Sequence, residues 1–245
     1  MQIPDNKYID QLRKKTGKIV KEYHLINEND RIMIGLSGGK DSMVLLEILH
    51  NRKKIIPFDF YLEAVHIKAA DMAYEVDENY LTEYCRALGI PFHVRTIKVN
   101  PEETKKNPCF ACSWKRRKAL FEFTREKDCN KLALGHNLDD AIETLLLNMI
   151  YHNSISSIPE KIEMFGGQFE IIRPLLNFSE DEIQQYADIQ KFVLQKKACP
   201  YEDLSKRDQV KQLISQMQKI RGKAKFSVFN SMHKVFPEYL PFHSK

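Results

Sequence analysis

The chain has 245 residues, of which 43% are hydrophobic and 29% are charged, values typical of a globular protein with one substantial core. It contains no apolar run near the roughly 20 residues that a membrane-spanning helix needs. Its first residues also lack the basic and then apolar pattern of a secretory leader. We therefore expect a cytoplasmic protein that does not bind a membrane. The formal net charge of +5 favours an acidic partner only slightly.

The hydrophobic pattern predicts an alternation of strands and helices. The predicted elements are, in chain order, a helix over 7–24, a strand over 31–36, a helix over 42–52, a strand over 58–67, a helix over 74–88, a strand over 92–97, a helix over 113–127, a strand over 131–135, a helix over 138–151, a last strand over 169–172 and two or three further helices. This order predicts a doubly wound, mostly parallel α/β sheet. We expect an N-terminal helix over 1–28, the α/β domain over 29–200 and a C-terminal helical extension over 201–245.

A glycine-rich loop follows the first predicted strand, with the sequence Ser37-Gly38-Gly39-Lys40-Asp41-Ser42. A strand, a glycine loop and a helix start together favour anion binding, because free backbone N–H groups and the helix dipole face the ligand. The spacing is not that of a Walker A loop, which has four residues between its glycines. Lys40 adds a cation, and Asp41 beside a phosphate is compatible with a magnesium ion between them. The alternative is an ordinary glycine turn.

A second polar motif, Gly135-His136-Asn137-Leu138-Asp139-Asp140, follows the fourth predicted strand at the same sheet edge. One aspartate is expected to cap the next helix. Two carboxylates with a histidine and an asparagine exceed what a cap requires, and they favour a magnesium or phosphate-orienting site, or proton handling near a base. The loop after the second strand is expected to begin at His66, where either adenine recognition or a packed histidine fits.

The five cysteines separate into candidate ligands and others. Structural disulfides are not expected in a cytoplasmic chain. Cys109 and Cys112 form a CxxC, and Cys199 precedes a proline, whereas Cys85 fits a helix core and Cys129 a polar turn. A zinc ribbon would need a second CxxC or a histidine pair. Three thiolates instead fit a 4Fe-4S cluster with one iron open, the alternatives being an incidental CxxC or a weak zinc site.

Basic residues flank these cysteines. Residues 115–118 read Lys-Arg-Arg-Lys directly after Cys112, and Lys196-Lys197 precede Cys199. A solvated helix face explains any one such cluster. Several clusters beside candidate ligands favour a nucleic-acid surface.

The motifs over residues 30 to 215 resemble, in their order, those of the tRNA 2-thiocytidine synthetase family. The order includes the glycine loop, the CxxC with its basic residues, the second polar motif, Arg173-Pro174-Leu175-Leu176 and Cys199. The resemblance implies an adenine nucleotide alpha hydrolase-like fold with a PP-loop, ATP and Mg²⁺ at that loop, and a 4Fe-4S cluster on Cys109, Cys112 and Cys199. It also implies thiolation of cytidine 32 of tRNA. Asn137 is a departure, since this family commonly repeats histidine there and archaeal-type 2-thiouridine synthetases carry asparagine.

The implied chemistry gives the site residues their roles. Replacing a base carbonyl oxygen by sulfur requires a better leaving group, which adenylation supplies while ATP is split into AMP and pyrophosphate. The glycine loop, together with Gly135 and His66, would then bind the nucleotide. Lys40 would neutralise developing charge and Asp41 would bind magnesium. Asp139 would position the metal or the base, and Arg116 would stabilise the adenylated intermediate or a tRNA phosphate.

The expected partners are tRNA and a sulfur donor such as a cysteine desulfurase, with a homodimer as one compatible assembly. Two alternative functions are a lysidine-type tRNA ligase, which has no use for three cysteines, and a nucleotide- or sulfur-binding protein without turnover.

Overall fold

The computed structural model of the chain describes residues 6–72, 76–100, 108–194 and 206–241, and gives side-chain positions for these except 108 and 109. It divides into two compact units. The first comprises Met1–Asn137 and Pro159–Asp203, and the second comprises Leu138–Ile158 and Leu204–Lys245. The domain boundaries predicted after residues 28 and 200 stay predictions.

Six strands and eight helices are described in these ranges, followed by a short 3-10 helix. In chain order they are α1 (Lys7–Glu22), β1 (Arg31–Gly35), α2 (Lys40–Lys53), β2 (Tyr61–Ala69), α3 (Glu78–Ala87), β3 (Phe92–Ile97), α4 (Pro108–Glu126), β4 (Lys131–Ala133), α5 (Leu138–His152), β5 (Lys161–Met164), β6 (Phe169–Ile172), α6 (Glu180–Gln190), α7 (Lys206–Ile220), α8 (Ala224–Met232) and the 3-10 helix Pro237–Tyr239.

The sheet of the first unit has the strand order β3-β2-β1-β4-β6-β5. All neighbouring strands are parallel except β5, which runs antiparallel to β6. The chain moves outward from β1 to β3 and then returns to β4 on the other side of β1. The strand order therefore reverses between β1 and β4, which is where ligands bind in open α/β sheets. The predicted doubly wound, mostly parallel sheet is confirmed.

The central strand β1 is covered on both faces. Ile32, Met33 and Ile34 are completely buried. Ile32 and Ile34 belong to a core cluster that includes residues of α1, α2, α3 and α6. Met33 points the other way, into a cluster with residues of α4. A continuous apolar run is the expected pattern for a parallel strand buried on both faces.

Several elements differ from the sequence predictions, and the main differences are one missed strand and the shifted ends of α4, β2 and α3. β5 was not predicted, because its sequence Lys-Ile-Glu-Met is short and half polar, as edge strands often are. α4 begins at Pro108, five residues earlier than 113, and proline is favoured in a first helical turn. β2 spans Tyr61–Ala69 rather than 58–67, and α3 begins at Glu78 rather than at 74.

The second unit is helical, with α5, α7 and α8 packed against one another. Apolar side chains from each helix are buried, among them Ile142, Ile214 and Phe229. Across the described ranges, none of the helices combines the length and apolar character that crossing a membrane requires.

Candidate nucleotide site and cysteine motif

The glycine loop, residues 37–42, is held by its own two serines and is called the phosphate loop below. The Ser42 hydroxyl donates to the Gly39 carbonyl at 2.9 Å and accepts from the Ser37 N–H at 3.1 Å. The Gly39 N–H in turn lies 3.3 Å from the Ser37 Oγ. Gly38 has a φ of +79°, a left-handed conformation that favours glycine. The loop is therefore fixed in shape at the start of α2, where a helix leaves its first N–H groups for a ligand.

The two charged residues of the phosphate loop contact two other segments. The Lys40 ammonium donates to Glu180 Oε1 at 2.9 Å and lies 3.8 Å from Asp41 Oδ2. The Asn137 amide donates to Asp41 Oδ1 at 3.0 Å. The loop after β1, the loop after β4 and the first turn of α6 thus meet at one point. Glu180 was not predicted as a site residue, because its neighbour Ser179 starts a capping box, a pattern that signals only a helix start.

Gly135 brings the loop after β4 into backbone contact with the phosphate loop. A Cβ at this position would lie 3.0 Å from the Asp41 carbonyl atoms and 3.1 Å from the Ser42 nitrogen. A Cβ at these distances would push the start of α2 away by a few tenths of an ångström, so the close approach of the two backbones favours glycine here. The predicted cofactor-binding residue Gly135 is therefore placed directly against the start of α2.

A buried arginine orients the histidine of the second motif. Arg173 Nε donates to His136 Nδ1 at 3.2 Å, and Arg173 also donates to the Pro159 carbonyl at 2.6 Å. Burial, with a further contribution from the charge of Arg117, lowers the pKa of Arg173 to about 10, so the guanidinium is still charged at neutral pH. Because His136 Nδ1 accepts, the neutral ring carries its proton on Nε2. Arg173 belongs to a motif that the sequence shows, but no role was predicted for it.

His66 lies inside β2 rather than at the start of the following loop, so the predicted loop start was wrong. Its side chain is buried, and its Nδ1 is 2.9 Å from the carbonyl oxygen of Leu36, the residue before the phosphate loop. Burial lowers the pKa of His66, the hydrogen bond to Leu36 opposes this, and the charge of Arg116 adds to it. His66 therefore ties β2 to the end of β1 beside the loop.

The acidic residues of α5 belong to the second unit and pair with bases of that unit. Asp139 Oδ1 forms an ion pair with Lys225. Asp140 and Glu143 lie 3.7 and 3.8 Å from Arg207. Burial raises the pKa of Glu143 to about 7, although Lys211 and Arg207 act in the opposite direction. The predicted role of Asp139 toward the metal or the base stays a prediction.

The CxxC lies on α4 and not in a loop before a helix. Cys112 is half-buried and packs against a small cluster of Ala69, Met72 and Val99. Cys109 is three residues earlier on the same helix, so the two residues share one helix face. Two cysteines one turn apart on a helix fit two ligands of an iron–sulfur cluster.

The third predicted ligand, Cys199, and the basic pair Lys196-Lys197 lie outside the described residues. Within the described part of the chain, no group of three cysteine, histidine or carboxylate side chains is assembled that could hold a metal ion. Cys85 and Cys129 are buried in the core, and burial raises their thiol pKa to about 12 and about 11. Both therefore stay protonated at neutral pH and are poor metal ligands.

The basic cluster at 115–118 divides between two faces of α4. Lys115 turns inward and donates to the carbonyl oxygens of Lys98 at 3.2 Å and Val99 at 2.9 Å. Arg116 is half-buried, whereas Arg117 and Lys118 are exposed. The outward positive charge of this segment thus comes from Arg117 and Lys118.

Comparison with known proteins agrees with these motifs. The family described as a PP-loop domain matches residues 8–217. A tRNA-cytidine(32) 2-sulfurtransferase from Pseudomonas fluorescens is 33% identical over 97% of this chain and 88% of its own length, and one from Bordetella avium is 32% identical over 96% and 76%.

Solved structures give the same picture. The U34-tRNA thiolase NcsA from Methanococcus maripaludis, solved with its [4Fe-4S] cluster, has a TM-score of 0.80 and 26% identity, covering 96% of this chain and 81% of that protein. An NAD+ synthetase from Burkholderia pseudomallei shares the fold alone, at a TM-score of 0.52 and 12% identity over 97% of this chain and 92% of its own. The chain therefore belongs to the PP-loop family and, within it, to the tRNA-cytidine(32) 2-sulfurtransferases.

Proposed function

We propose that this protein is an ATP-dependent tRNA thiolase that adenylates the carbonyl oxygen of cytidine 32 and replaces that oxygen with sulfur. The observation that carries the proposal is the pairing of a braced phosphate loop with a CxxC helix in one unit, in a chain related along nearly its full length to such sulfurtransferases. Adenylation needs the phosphate loop, and sulfur delivery needs the cysteines of the CxxC helix. Neither step needs a side-chain nucleophile.

The phosphate loop binds the pyrophosphate end of ATP. Its serine hydrogen bonds hold the backbone open before the ligand arrives, which reduces the ordering that binding would otherwise require. Lys40 leaves its ion pair with Glu180 and moves its ammonium to the phosphates. The exposed Glu180 carboxylate then returns to water at little cost, because exposed ion pairs contribute little.

Asp41 supplies the carboxylate for magnesium. The Asn137 amide holds one carboxylate oxygen of Asp41 at 3.0 Å and so fixes the direction of the other. Carboxylate oxygens are the protein ligands that Mg²⁺ prefers, and the ion keeps further water and phosphate oxygens. Gly135 keeps the two backbones close enough for this amide to reach.

The base reacts in two displacements. The cytidine carbonyl oxygen attacks the α-phosphorus of ATP and pyrophosphate leaves. A sulfur nucleophile then attacks the base carbon, and the former carbonyl oxygen leaves with AMP. His136, with its proton on Nε2, is placed to donate a hydrogen bond, and Arg116 and Asp139 act on the adenylated base, a tRNA phosphate or the metal.

Cys109, Cys112 and Cys199 would hold a 4Fe-4S cluster. When bound, the cluster supplies one iron without a cysteine ligand, which can carry the incoming sulfur. The Cys112 side chain packs on Ala69, Met72 and Val99, which limits access of water to that side of the site. The proposal includes a separate sulfur donor such as a cysteine desulfurase, a homodimer as its assembly, and the cytoplasm as its location.

The test is an anaerobic incubation of the reconstituted protein with ATP, Mg²⁺, unmodified tRNA, sulfide and free lysine. We expect AMP and pyrophosphate in the solution and a 2-thiolated cytidine in the tRNA, read by mass spectrometry of the nucleosides. ADP as the sole nucleotide product, or lysine joined to a cytidine, would contradict the proposal.

Iron content and visible absorbance test the ligand assignment independently of activity. Alanine at Cys109, Cys112 or Cys199 should abolish the iron absorbance. Alanine at Cys85 or Cys129, the matched buried cysteines, should leave it in place. Near-stoichiometric zinc and no iron after anaerobic reconstitution would contradict a cluster.

A further inference from the structure

The outward face of α4 carries two large aromatic side chains beside two cations. Phe110 and Trp114 are 55% and 53% exposed, and their spacing of four residues puts them on the same helix face. Arg117 and Lys118 follow one turn later, are exposed, and continue this face. The Lys118 ammonium lies 5.7 Å from the centre of the Trp114 ring. These four residues are called the α4 outer face below.

The orientation of this face is fixed by the opposite side of the helix. Ala119 and Phe123 are buried in the core cluster behind β1. Lys115 is held by the carbonyl oxygens of Lys98 and Val99. With these contacts in place, the helix cannot rotate to bury Trp114. The exposure of the aromatic pair is therefore a property of the folded unit.

Two neighbouring exposed aromatic rings form an apolar surface patch of the kind that marks an interaction site. The neighbouring charge selects the partner. Arg117 and Lys118 attract phosphate, and a base stacks on an aromatic ring with either of its faces. Sequence-specific RNA recognition favours unpaired bases, which aromatic side chains can stack against. Trp114 lies two residues after Cys112 on α4, so a nucleotide held at this face lies within one helical turn of the CxxC along the helix axis.

We propose that the α4 outer face is a stacking platform for an unpaired base of the RNA substrate. Trp114, with Phe110, stacks the base, and Arg117 and Lys118 hold the adjacent phosphates. This inference rests on the proposed function, because it takes RNA as the substrate. It adds the part of the RNA that is recognised, a single-stranded nucleotide, and the residues that recognise it.

Trp114 is the single tryptophan of the chain, so its fluorescence reports on this face alone. The experiment titrates the full reconstituted protein with substrate tRNA, with an RNA hairpin that has an unpaired loop, and with a fully paired RNA duplex. We expect the tRNA and the hairpin to quench Trp114, and the duplex to leave its emission unchanged at equal occupancy. Equal quenching by the duplex, or no quenching by tRNA at saturation, would overturn the platform.

The second part of the test measures the affinity of variants for tRNA. Trp114→Ala should raise the Kd for tRNA about 10-fold, within the range known for loss of one base stack, and Trp114→Phe should restore most of the affinity. Tyr61→Ala is the matched control, since Tyr61 is 53% exposed and lies near Lys53 at 5.5 Å, at the start of β2. It should bind tRNA as the wild type does.

Failure of this inference differs from failure of the proposed function. If wild type thiolates tRNA and Trp114→Ala does so with the same KM and Kd, the platform is overturned and the function stands. If wild type quenches with tRNA and thiolates none, the function fails and the platform stands. A concentration-dependent dimer that Trp114→Ala abolishes, with unchanged tRNA affinity, would assign this face to a second copy and overturn the platform.

Discussion

The two ends of the parallel sheet both carry charged clusters, but the clusters differ in how completely they are closed. At the amino end, the Lys131 side chain is 2% exposed and pairs with Asp30 at 3.1 Å and Glu170 at 2.8 Å. Its ammonium also donates to the Leu25 carbonyl at 3.0 Å. An ammonium has three donors, so Lys131 is saturated.

At the carboxyl end of the sheet, the lysine of the charged cluster is Lys40, and it remains accessible to solvent. The side chains of Lys40 and Glu180 are 19% and 46% exposed, and that of Asp41 is 32% exposed. These groups can exchange protein partners for a ligand, whereas Lys131 would have to leave the core. Saturation and burial, rather than charge itself, therefore separate a structural ion pair from a candidate binding site.

A cavity is not by itself a guide to the binding site in this protein. An open cavity of about 690 Å³ lies at the amino end. It is lined by Glu122, Arg125, Glu126, Asp128, Cys129, Asn130 and Gln168, none of which is a predicted site residue. The phosphate loop instead lies at the edge where the strand order reverses.

Replacement of Lys131 should have the largest effect, which is a loss of stability. Lys131→Ala leaves Asp30 and Glu170 without their buried partner, so the free energy of unfolding should fall by about 3–5 kcal/mol. Denaturant unfolding measures this. Lys161→Ala is the matched control, because Lys161 pairs with the same Glu170 at 3.4 Å but is 34% exposed, and it should cost no more than about 1 kcal/mol. Equal costs for the two variants would remove the distinction between the clusters.

Removal of the Asp41 carboxylate should instead lower the rate of AMP release. Asp41→Asn should lower AMP release about 10²–10³-fold, a loss typical for one preorganised electrostatic group, because magnesium loses its charged ligand. The free energy of unfolding should change by less than about 1 kcal/mol, since this position is partly exposed. Asp10→Asn, at an exposed aspartate paired with Arg13, should change neither quantity. A large loss of stability in Asp41→Asn would show that the cluster at the carboxyl end also stabilises the fold, and would contradict its assignment as a binding site.

Glu143 is intermediate between the saturated cluster around Lys131 and the accessible cluster around Lys40. It is buried, but its basic partners are 3.8 and 3.9 Å away. Its folded pKa of about 7 lies above the ordinary 4.5, so the protonated form is favoured in the folded state. The stability it contributes is present below pH 4.5 and is lost as the pH rises through 7. Relative to wild type, Glu143→Gln should therefore gain up to about 3 kcal/mol between pH 4.5 and 8. Denaturant unfolding at both pH values checks this, and a pH-independent difference between the proteins would contradict it.

The smallest expected effect concerns the contact between the two loops. Gly135→Ala forces a Cβ to within about 3 Å of the Asp41 carbonyl, so the phosphate loop must shift. We expect the KM for ATP in AMP release to rise about 10-fold, the effect of roughly 1.4 kcal/mol of lost binding. Gly222→Ala is the control, because a Cβ there meets open space. An unchanged KM in Gly135→Ala would show that the close approach is not used in binding.

The sequence predicted the elements with strong periodicity and missed the weak ones. The strand at 92–97 was predicted with its correct ends, because alternating residues and flanking turn signals define it. β5 was missed because a short edge strand has little apolar signal. α4 was predicted to begin at 113 and begins at Pro108, so the CxxC lies on the helix rather than before it.

The site could be predicted only where its residues are neighbours in sequence. The phosphate loop and the second motif follow their strands directly, so topology alone brings them to one edge. The pairing of Lys40 with Glu180 spans 140 residues and leaves no local pattern to read. The same holds for Lys131, which looks like an ordinary strand residue until Asp30 and Glu170 are placed around it.

The central claim, that one protein couples ATP cleavage to sulfur transfer onto tRNA, is tested most directly by a stoichiometry. Labelled ATP and labelled sulfide are supplied together with tRNA, and AMP and sulfur incorporated into the tRNA are counted in the same anaerobic reaction. We predict about one AMP for each sulfur, with the sulfur recovered at cytidine 32 after nuclease digestion, and loss of both products in Asp41→Asn. AMP formed without sulfur incorporation in the cluster-loaded wild type, or sulfur incorporated without AMP, would contradict the account.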